Sequence, residues 1–474
     1  MQRRVNLWSN IDWVTVTIYL VLVILGWINI YAAVYNEDNQ SIFDFSQRYG
    51  KQLVWIAAAF VIAFIIFVID INFYPFFAYL VYGVVVFVLM LVLVFGTKVH
   101  GATSWFEIGN FRLQPSEFAK IATALALARY LSSHNVQINT LKSYIRVAII
   151  ILLPALLILL QNDTGSALVY FAFILVLYRE GISESILFLG LFVIILFILA
   201  LVLSKMVILL LSIGIVFIIF WFYNKSFKIV GLGFGILFLC TALLYGINEL
   251  LTLDLAYYFT LLISLGISGS VYTILAIRYK IKKVVIILFF LIGSVFFTYS
   301  VDFVFNNILE PHQKTRINVV LGLESDPYGV EYNVNQSKIA IGSGGFYGKG
   351  FLRGTQTKFD FVPEQSTDFI FCTIGEEWGF VGTFFVVFVF VFFLYRLVKI
   401  AERQRSPFSR MYGYGVISVL FFHITINIGM TIGLVPVIGI PLPFFSYGGS
   451  SLWSFTILLF ILLRLDASRL DMLK

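Results

Sequence analysis

Cysteine, histidine and charge are all scarce in this 474-residue chain, and each shortage removes a class of function. The two cysteines, Cys240 and Cys372, both lie inside apolar runs, so neither a disulfide framework nor a thiolate metal site fits them. The four histidines, His100, His134, His312 and His423, are scattered and form no cluster at metal-ligand spacing. Charged residues make up 12% of the chain, against about 25% in soluble domains, which argues against a water-soluble fold. No small-residue cleavage pattern follows the first apolar run, which is therefore read as a retained span.

What the chain has instead is hydrocarbon: 60% hydrophobic residues, 51 of them Phe, in runs long enough to cross a core of about 30 Å. The pattern predicts an all-α polytopic membrane protein with about 14 transmembrane helices between residues 12 and 465. The least obvious span is 117–132, which is short and includes Glu117, Lys120 and Arg129. Parity argues for it. If it crosses, "NKSFK", "RYKIKK" and "YRLVKIAERQRSPFSR" fall on the same side as "MQRR", as the positive-inside bias requires. Both termini are then cytoplasmic, and the net charge of +7 encodes orientation rather than nucleic-acid binding. Stretches 35–51, 97–116, 304–366 and 435–448 fall on the outer face. The expected organisation is 1–184 (spans 1–6), 185–303, an outer loop at 304–366, and 367–474 (spans 12–14). A loop as long as 304–366 is usually functional.

Several short motifs carry both a chemical and a plain reading. "GSGGFYGKG" (342–350) fails as a phosphate loop, because Ser343 holds the first glycine position and Gly350 follows Lys349. It is either a flexible loop or a backbone curl whose N–H groups, with Lys338, Lys349 and Arg353, hold an anionic head group. In "FRLQPSEFAK", Pro115 and Glu117 suit a first helical turn. Glu117 and Lys120 also lie three apart and can pair, making with Arg112 the wall of a polar cleft. Asp163 in "QNDTG" is an N-cap or a cleft residue. "VPVIGIPLPFFSYGGSS" (435–451) is an outer hairpin or a helix-breaking packing element.

"PEQSTDFIFCTIGEEWGF" (363–380) brings three acids to the start of an apolar run. Asp368 suits the helix dipole, with Ser366 or Thr367 as cap. Glu376 and Glu377 lie about 12–14 Å further along, Glu376 about 80° round from Asp368 and Glu377 nearly opposite.

"GATSWFEIGNFRLQPSEFAK", "QNDTG", "QSKIAIGSGGFYGKGFLRGTQTKFDFVPEQSTDFIF" and "NIGMTIGLVPVIGIPLPFFSYGGSS", in that order, resemble the SEDS family (shape, elongation, division and sporulation). "GKGFLRGTQTKFDFVPE" is similar to its elongation branch rather than its division branch. The resemblance implies a ten-helix core and a peptidoglycan glycosyltransferase that polymerises lipid II at the outer face of the bacterial cytoplasmic membrane. It implies that the essential acid is Asp368 and that Glu117 and Lys120 belong to the cleft. Ser343, Glu364 and Ser446 complete the candidate substrate-binding set, and Trp105 and Glu376 the cleft. The implied partners are undecaprenyl-pyrophosphate-linked glycan, a class B penicillin-binding protein supplying transpeptidase activity, and MreC- and MreD-like proteins.

Three departures stand out. Ser366 replaces a frequent His, Ser104-Trp105 replaces Arg-Trp, and 185–303 holds five apolar runs where the family has one. The mechanism expected from these residues is single-base inversion, with Asp368 taking the acceptor proton. Lys338, Lys349, Arg353 and Arg112 would balance the pyrophosphate, with a divalent cation (Mg or Mn) as a further aid. Two other classes compete: a flippase or transporter of lipid-linked oligosaccharide, with its site near midplane on broken helices, and an inactive scaffold.

Overall fold

The computed structural model describes residues 10–35, 44–99, 101–109, 111–133, 140–252, 256–278, 284–309, 311–324, 331–359 and 361–469. "MQRR", most of "RYKIKK", His100 and His134 lie outside those residues. The chain forms two compact units, 1–184 with 324–474, and 185–323.

The first unit opens with α1 (Trp13–Val34), α2 (Arg48–Val68) and α3 (Phe73–Phe95). Asp12 caps α1 by accepting the Thr15 N–H at 3.0 Å. The stretch 97–113 departs from the all-helical expectation. It forms a three-stranded antiparallel sheet of β1 (Thr97–Val99), β2 (Ala102–Ile108) and β3 (Phe111–Leu113). Then come α4 (Pro115–Leu131) and α5 (Leu141–Leu160), followed by a helix tightened in its middle. That helix is α6 (Thr164–Leu168), a 3-10 turn (Val169–Phe173) and α7 (Ile174–Arg179).

The second unit contains α8 (Glu184–Val202), α9 (Lys205–Asn224), α10 (Phe227–Leu250), α11 (Tyr257–Arg278), α12 (Val284–Asn307) and α13 (Pro311–Val320). Its interior is aliphatic and aromatic, with Leu209, Ile213, Leu261 and Leu291 in one cluster and Phe220 against Tyr272 in another. Tyr272 donates to the Ile229 carbonyl at 3.0 Å, and Lys205 pairs with Asp302 at 2.8 Å.

The chain returns to the first unit with α14 (Tyr332–Ser343), α15 (Thr355–Lys358), α16 (Ile370–Glu402), α17 (Pro407–Thr431) and α18 (Gly449–Ala467). The stretch 304–366 is not a plain loop, since α12 runs into it and α13, α14 and α15 lie within it.

Eleven described helices are long and apolar enough to cross a membrane, with shorter apolar helices at Thr164–Arg179 and Phe188–Val202. The protein is a multi-pass membrane protein. α4, shorter and more polar, lies outside that set, yet it runs the depth of the first unit. Gln114, just ahead of it, bonds Asp163 at 3.0 Å, and Tyr130 near its far end bonds Ser143 of α5 at 3.4 Å. At 17 residues it is about 25 Å long.

One end of the first unit is tied by arginines. Asp12 takes Arg396 at 2.7 Å and Arg403 at 2.9 Å, while Arg403 also pairs with Asp466. Burial pushes the Asp12 carboxyl up, but Arg396 and Thr15 outweigh it and hold the group down at about 2. Arg410–Glu180 and Arg179–Glu402 join the same end at 3.0 Å each. The turns that carry the candidate residues gather at the opposite end.

Candidate active site

Asp368 lies in a tight turn ahead of α16, not in its first turn. The helix begins at Ile370, its N-cap Phe369 offers no side-chain cap, and Ser366 and Thr367 do not fill that role. The turn instead closes on Glu364, which adopts a left-handed conformation (φ +51°). The N–H groups of Thr367 and Phe369 both donate to the Glu364 carbonyl at 3.2 Å, and Thr367 Oγ1 donates to Glu364 Oε2 at 3.0 Å.

Three successive carbonyls of this turn are gripped from outside it. Ser366 O accepts the Tyr447 N–H at 2.9 Å, Thr367 O accepts Ser446 Oγ at 2.6 Å, and Asp368 O accepts Asn427 Nδ2 at 2.9 Å. Ser446 thus holds the acidic turn, and its Oγ also accepts the Leu442 N–H at 2.8 Å. Arg48, opening α2, donates to Ser366 Oγ at 2.7 Å and lies 3.7 Å from Glu364 and 5.9 Å above the Tyr447 ring. Ser366, which replaces the frequent His, is thus an arginine acceptor. Burial pushes the Tyr447 hydroxyl above its ordinary range, with Trp55 and Arg48 opposing it. Gly439 (φ +67°) lies against the carboxylate, where an added Cβ would sit 3.3 Å from Asp368 Oδ2.

The "GSGGFYGKG" segment is neither a loose loop nor an anion cradle. α16 breaks at Gly379 (φ +64°), and residues 345–350 are spliced into the gap. In an unbroken helix the N–H groups of Phe380 and Val381 would bond Glu376 O and Glu377 O. Here they donate to Gly345 O and Phe346 O at 2.9 and 3.2 Å. Glu376 O and Glu377 O accept Lys349 N–H and Gly350 N–H at 3.0 and 2.9 Å. Four backbone groups that a break would strand in an apolar setting are all satisfied. Gly348 permits the approach, since a Cβ there would fall 2.1 Å from Glu377 O.

The Glu376 carboxylate, fully buried, organises the segment after the curl. It accepts Lys349 Nζ at 2.7 Å and the N–H groups of Thr355, Gln356 and Thr357 at 2.7, 2.8 and 2.9 Å. The Thr357 carbonyl accepts Gln365 Nε2 at 2.7 Å, which leads back to the acidic turn. Glu377 points elsewhere: Oε1 accepts the Leu352 N–H at 3.1 Å, and Oε2 is buried with no partner among the described residues.

Glu117 and Lys120 do pair, but in the protein interior rather than on the wall of an open cleft. Lys120 and Glu117 are 0% and 2% exposed. Lys120 Nζ lies 2.8 Å from each Glu117 oxygen and 2.9 Å from His423 Nε2. A charged ammonium spends its three hydrogens on those three acceptors, which leaves the His423 proton on Nδ1 to meet the Pro441 carbonyl at 3.1 Å. This relay ties α4 to α17 and to the hairpin beside Asp368.

The other candidates are dispersed. Arg112 is the cross-strand neighbour of Glu107 and pairs with it at 2.7 Å on an exposed edge. The Trp105 carbonyl accepts Thr97 Oγ1 at 3.2 Å within the sheet. Asp163 caps α6 through the Ser166 N–H at 3.0 Å and accepts Gln114 at 3.0 Å. Ser343 donates to Ala340 O at 2.8 Å in its own helix, so it is not turned to a ligand. Lys349 pairs with Glu376 at 2.7 Å. Lys338 and Arg353 are exposed, Lys338 folded over Gly433. The residues the sequence did not single out are Arg48, His423 and Asn427. Arg48 carried one signal, a cation at the first position of a span.

The family described as cell cycle protein, that of FtsW, RodA and SpoVE, matches residues 12–243 and 210–470. The peptidoglycan glycosyltransferase RodA of Treponema pallidum is 31% identical over 463 residues, covering 98% of this chain and 99% of that one. The peptidoglycan glycosyltransferase MrdB of Escherichia coli is 28% identical over 435 residues, covering 91% of this chain and 88% of that one. A solved chain described under a peptidoglycan synthase complex that coordinates polymerization and crosslinking is 23% identical, with a TM-score of 0.63 over 97% of this chain and 98% of that one. The RodA structure of Thermus thermophilus gives 0.55 at 22% identity over 97% of each. At these identities the two structures speak for the fold.

Proposed function

This chain is a member of the FtsW, RodA and SpoVE family of cell cycle proteins, and we propose on that premise that it polymerises lipid II into peptidoglycan glycan strands. The observation that carries the reading is its 31% identity to a peptidoglycan glycosyltransferase across nearly the whole of both chains. The reaction converts an α-linked lipid-pyrophosphate sugar to a β-1,4 link. One base is enough for such an inversion, because pyrophosphate leaves without needing a proton.

Asp368 is that base. It takes the proton of the acceptor 4-hydroxyl as the oxygen attacks the donor C1 and the C1–O bond to pyrophosphate breaks. Support comes from its turn, whose three carbonyls and left-handed Glu364 hold the acid in one geometry. Arg48, bonded to the same turn, is the cation best connected to meet the leaving group, with Lys338 and Arg353 as exposed alternatives. A divalent cation (Mg or Mn) would add positive charge beside the pyrophosphate, where one or two carboxylates suffice to hold Mg.

The reaction face is the outer surface of the cytoplasmic membrane, with both termini inside and fourteen crossings. A class B penicillin-binding protein is the fitting partner for crosslinking, with MreC- and MreD-like proteins around the pair. The four additional helices expected in 185–303 serve docking or lipid lining. A flippase is less well supported: α16 is discontinuous, but its break is closed by the spliced curl.

Purified chain given lipid II in detergent tests the assignment. Asp368→Asn is expected to lower polymerisation at least about 1,000-fold while the protein remains folded, and near-parental product from that variant would remove Asp368 as base.

A further inference from the structure

One residue outside the expected site joins its parts. Asn427 of α17 is fully buried, and its amide nitrogen carries two hydrogens. One goes to the Asp368 carbonyl at 2.9 Å and the other to the Ile440 carbonyl at 2.8 Å. The amide orientation follows from chemistry, since the flipped form would set its oxygen against two carbonyl oxygens. Its own Oδ1 is buried with no partner among the described residues, so the side chain is held by its donor bonds alone.

Ile440 follows Gly439, the residue whose backbone lies against the Asp368 carboxylate. One amide therefore fixes the acidic turn and its facing shelf relative to each other. Four residues earlier on α17, His423 fixes the next carbonyl, Pro441 O, from the Lys120–Glu117 pair. Four residues later, the Thr431 carbonyl accepts Ser337 Oγ of α14 at 2.9 Å. Positions 423, 427 and 431 lie on one helical face, which meets the 440–441 shelf, the acidic turn and α14.

We propose that Asn427 is a positioning residue for glycosyl transfer, setting the Asp368 carboxylate by bridging the carbonyls of Asp368 and Ile440. This rests on Asp368 as the base. The Ser446 and Tyr447 bonds hold the preceding two carbonyls, so loss of Asn427 releases the carbonyl of Asp368 itself while the rest of the turn stays gripped. A misplacement near 1 Å at a reacting group costs about 100-fold in rate.

The test uses the full chain in detergent with lipid II. Rates are taken per folded molecule, alongside Asp368→Asn. For Asn427→Ala we expect kcat to fall about 10- to 100-fold with KM within about twofold of the parent. Asn427→Asp brings a like charge close to Asp368, so the acid limb of kcat against pH moves to higher pH. A merely structural role scales that curve without moving it. If Asn427→Ala does not fold, Asn427→Ser, which keeps one donor, is measured in the same way and should lose at least about fivefold in kcat. Parental kcat per folded molecule and an unmoved acid limb, with Asp368→Asn inactive, overturn the role of Asn427 alone. Retained activity in Asp368→Asn overturns the base assignment and this inference with it.

Discussion

α4 and α10 are near opposites. α4 has 17 residues, contains a glutamate and two basic residues, and buries 15 of its positions. α10 has 24 residues, is strongly apolar, and buries none. In water this pairing would be inverted, with the apolar helix inside. A hydrocarbon solvent rewards the reverse: greasy surface is already among its own kind, and a polar helix must find its partners inside the protein. The contrast extends to the two units. The first holds the Lys120–Glu117 pair in the dry interior, whereas the second keeps the Lys205–Asp302 pair about two-fifths exposed.

The strongest way to break this comparison is at Lys120. Lys120→Met strands the Glu117 carboxylate and should cost about 3–5 kcal/mol, seen as a large loss of thermal stability in detergent. The double variant with Glu117→Gln should recover much of it, and equal losses in both would mean that charge pairing is not what α4 requires. Next comes Leu239 of α10, 62% exposed. If that face meets lipid, Leu239→Lys should cost about 2.5–3.5 kcal/mol in membrane insertion, read from glycosylation or protease mapping of the span. Unimpaired insertion would show that α10 faces something polar. The smallest effect belongs to Lys205. Lys205→Met breaks a half-exposed pair and should change stability by about 1 kcal/mol or less. A loss as large as that of Lys120→Met would erase the distinction between the units.

Local spacing made one half of the site readable in advance. Glu117 and Lys120 lie one helical turn apart, so pairing followed from the sequence, and so did an N-cap role for Asp163. The spans were readable for the same reason, because a run of apolar residues declares its length. Distant partners were not. Asp368 meets Asn427 across 59 residues and Lys120 meets His423 across 303, and no periodicity announces either contact. His423 was set aside because metal spacing was the only signal histidine offered. Arg112 stands in the sequence as a cation for the pyrophosphate, because its Glu107 partner depends on a short hairpin inside a mostly helical chain. The glycines of "GSGGFYGKG" permit a backbone curl, and one forms at 345–350. Their partner, the broken stretch of α16, was hidden because a helix break has no sequence signature stronger than one glycine.

That splice has a consequence for how the protein is made. The curl at 345–350 precedes the stretch it completes, 376–381, so it emerges from the ribosome first. Its backbone is already available when α16 begins to enter the bilayer. The helix need not choose between continuing through the break and exposing four open groups to lipid, because its missing rung has been synthesised ahead of it. Chain order here does the work of a template.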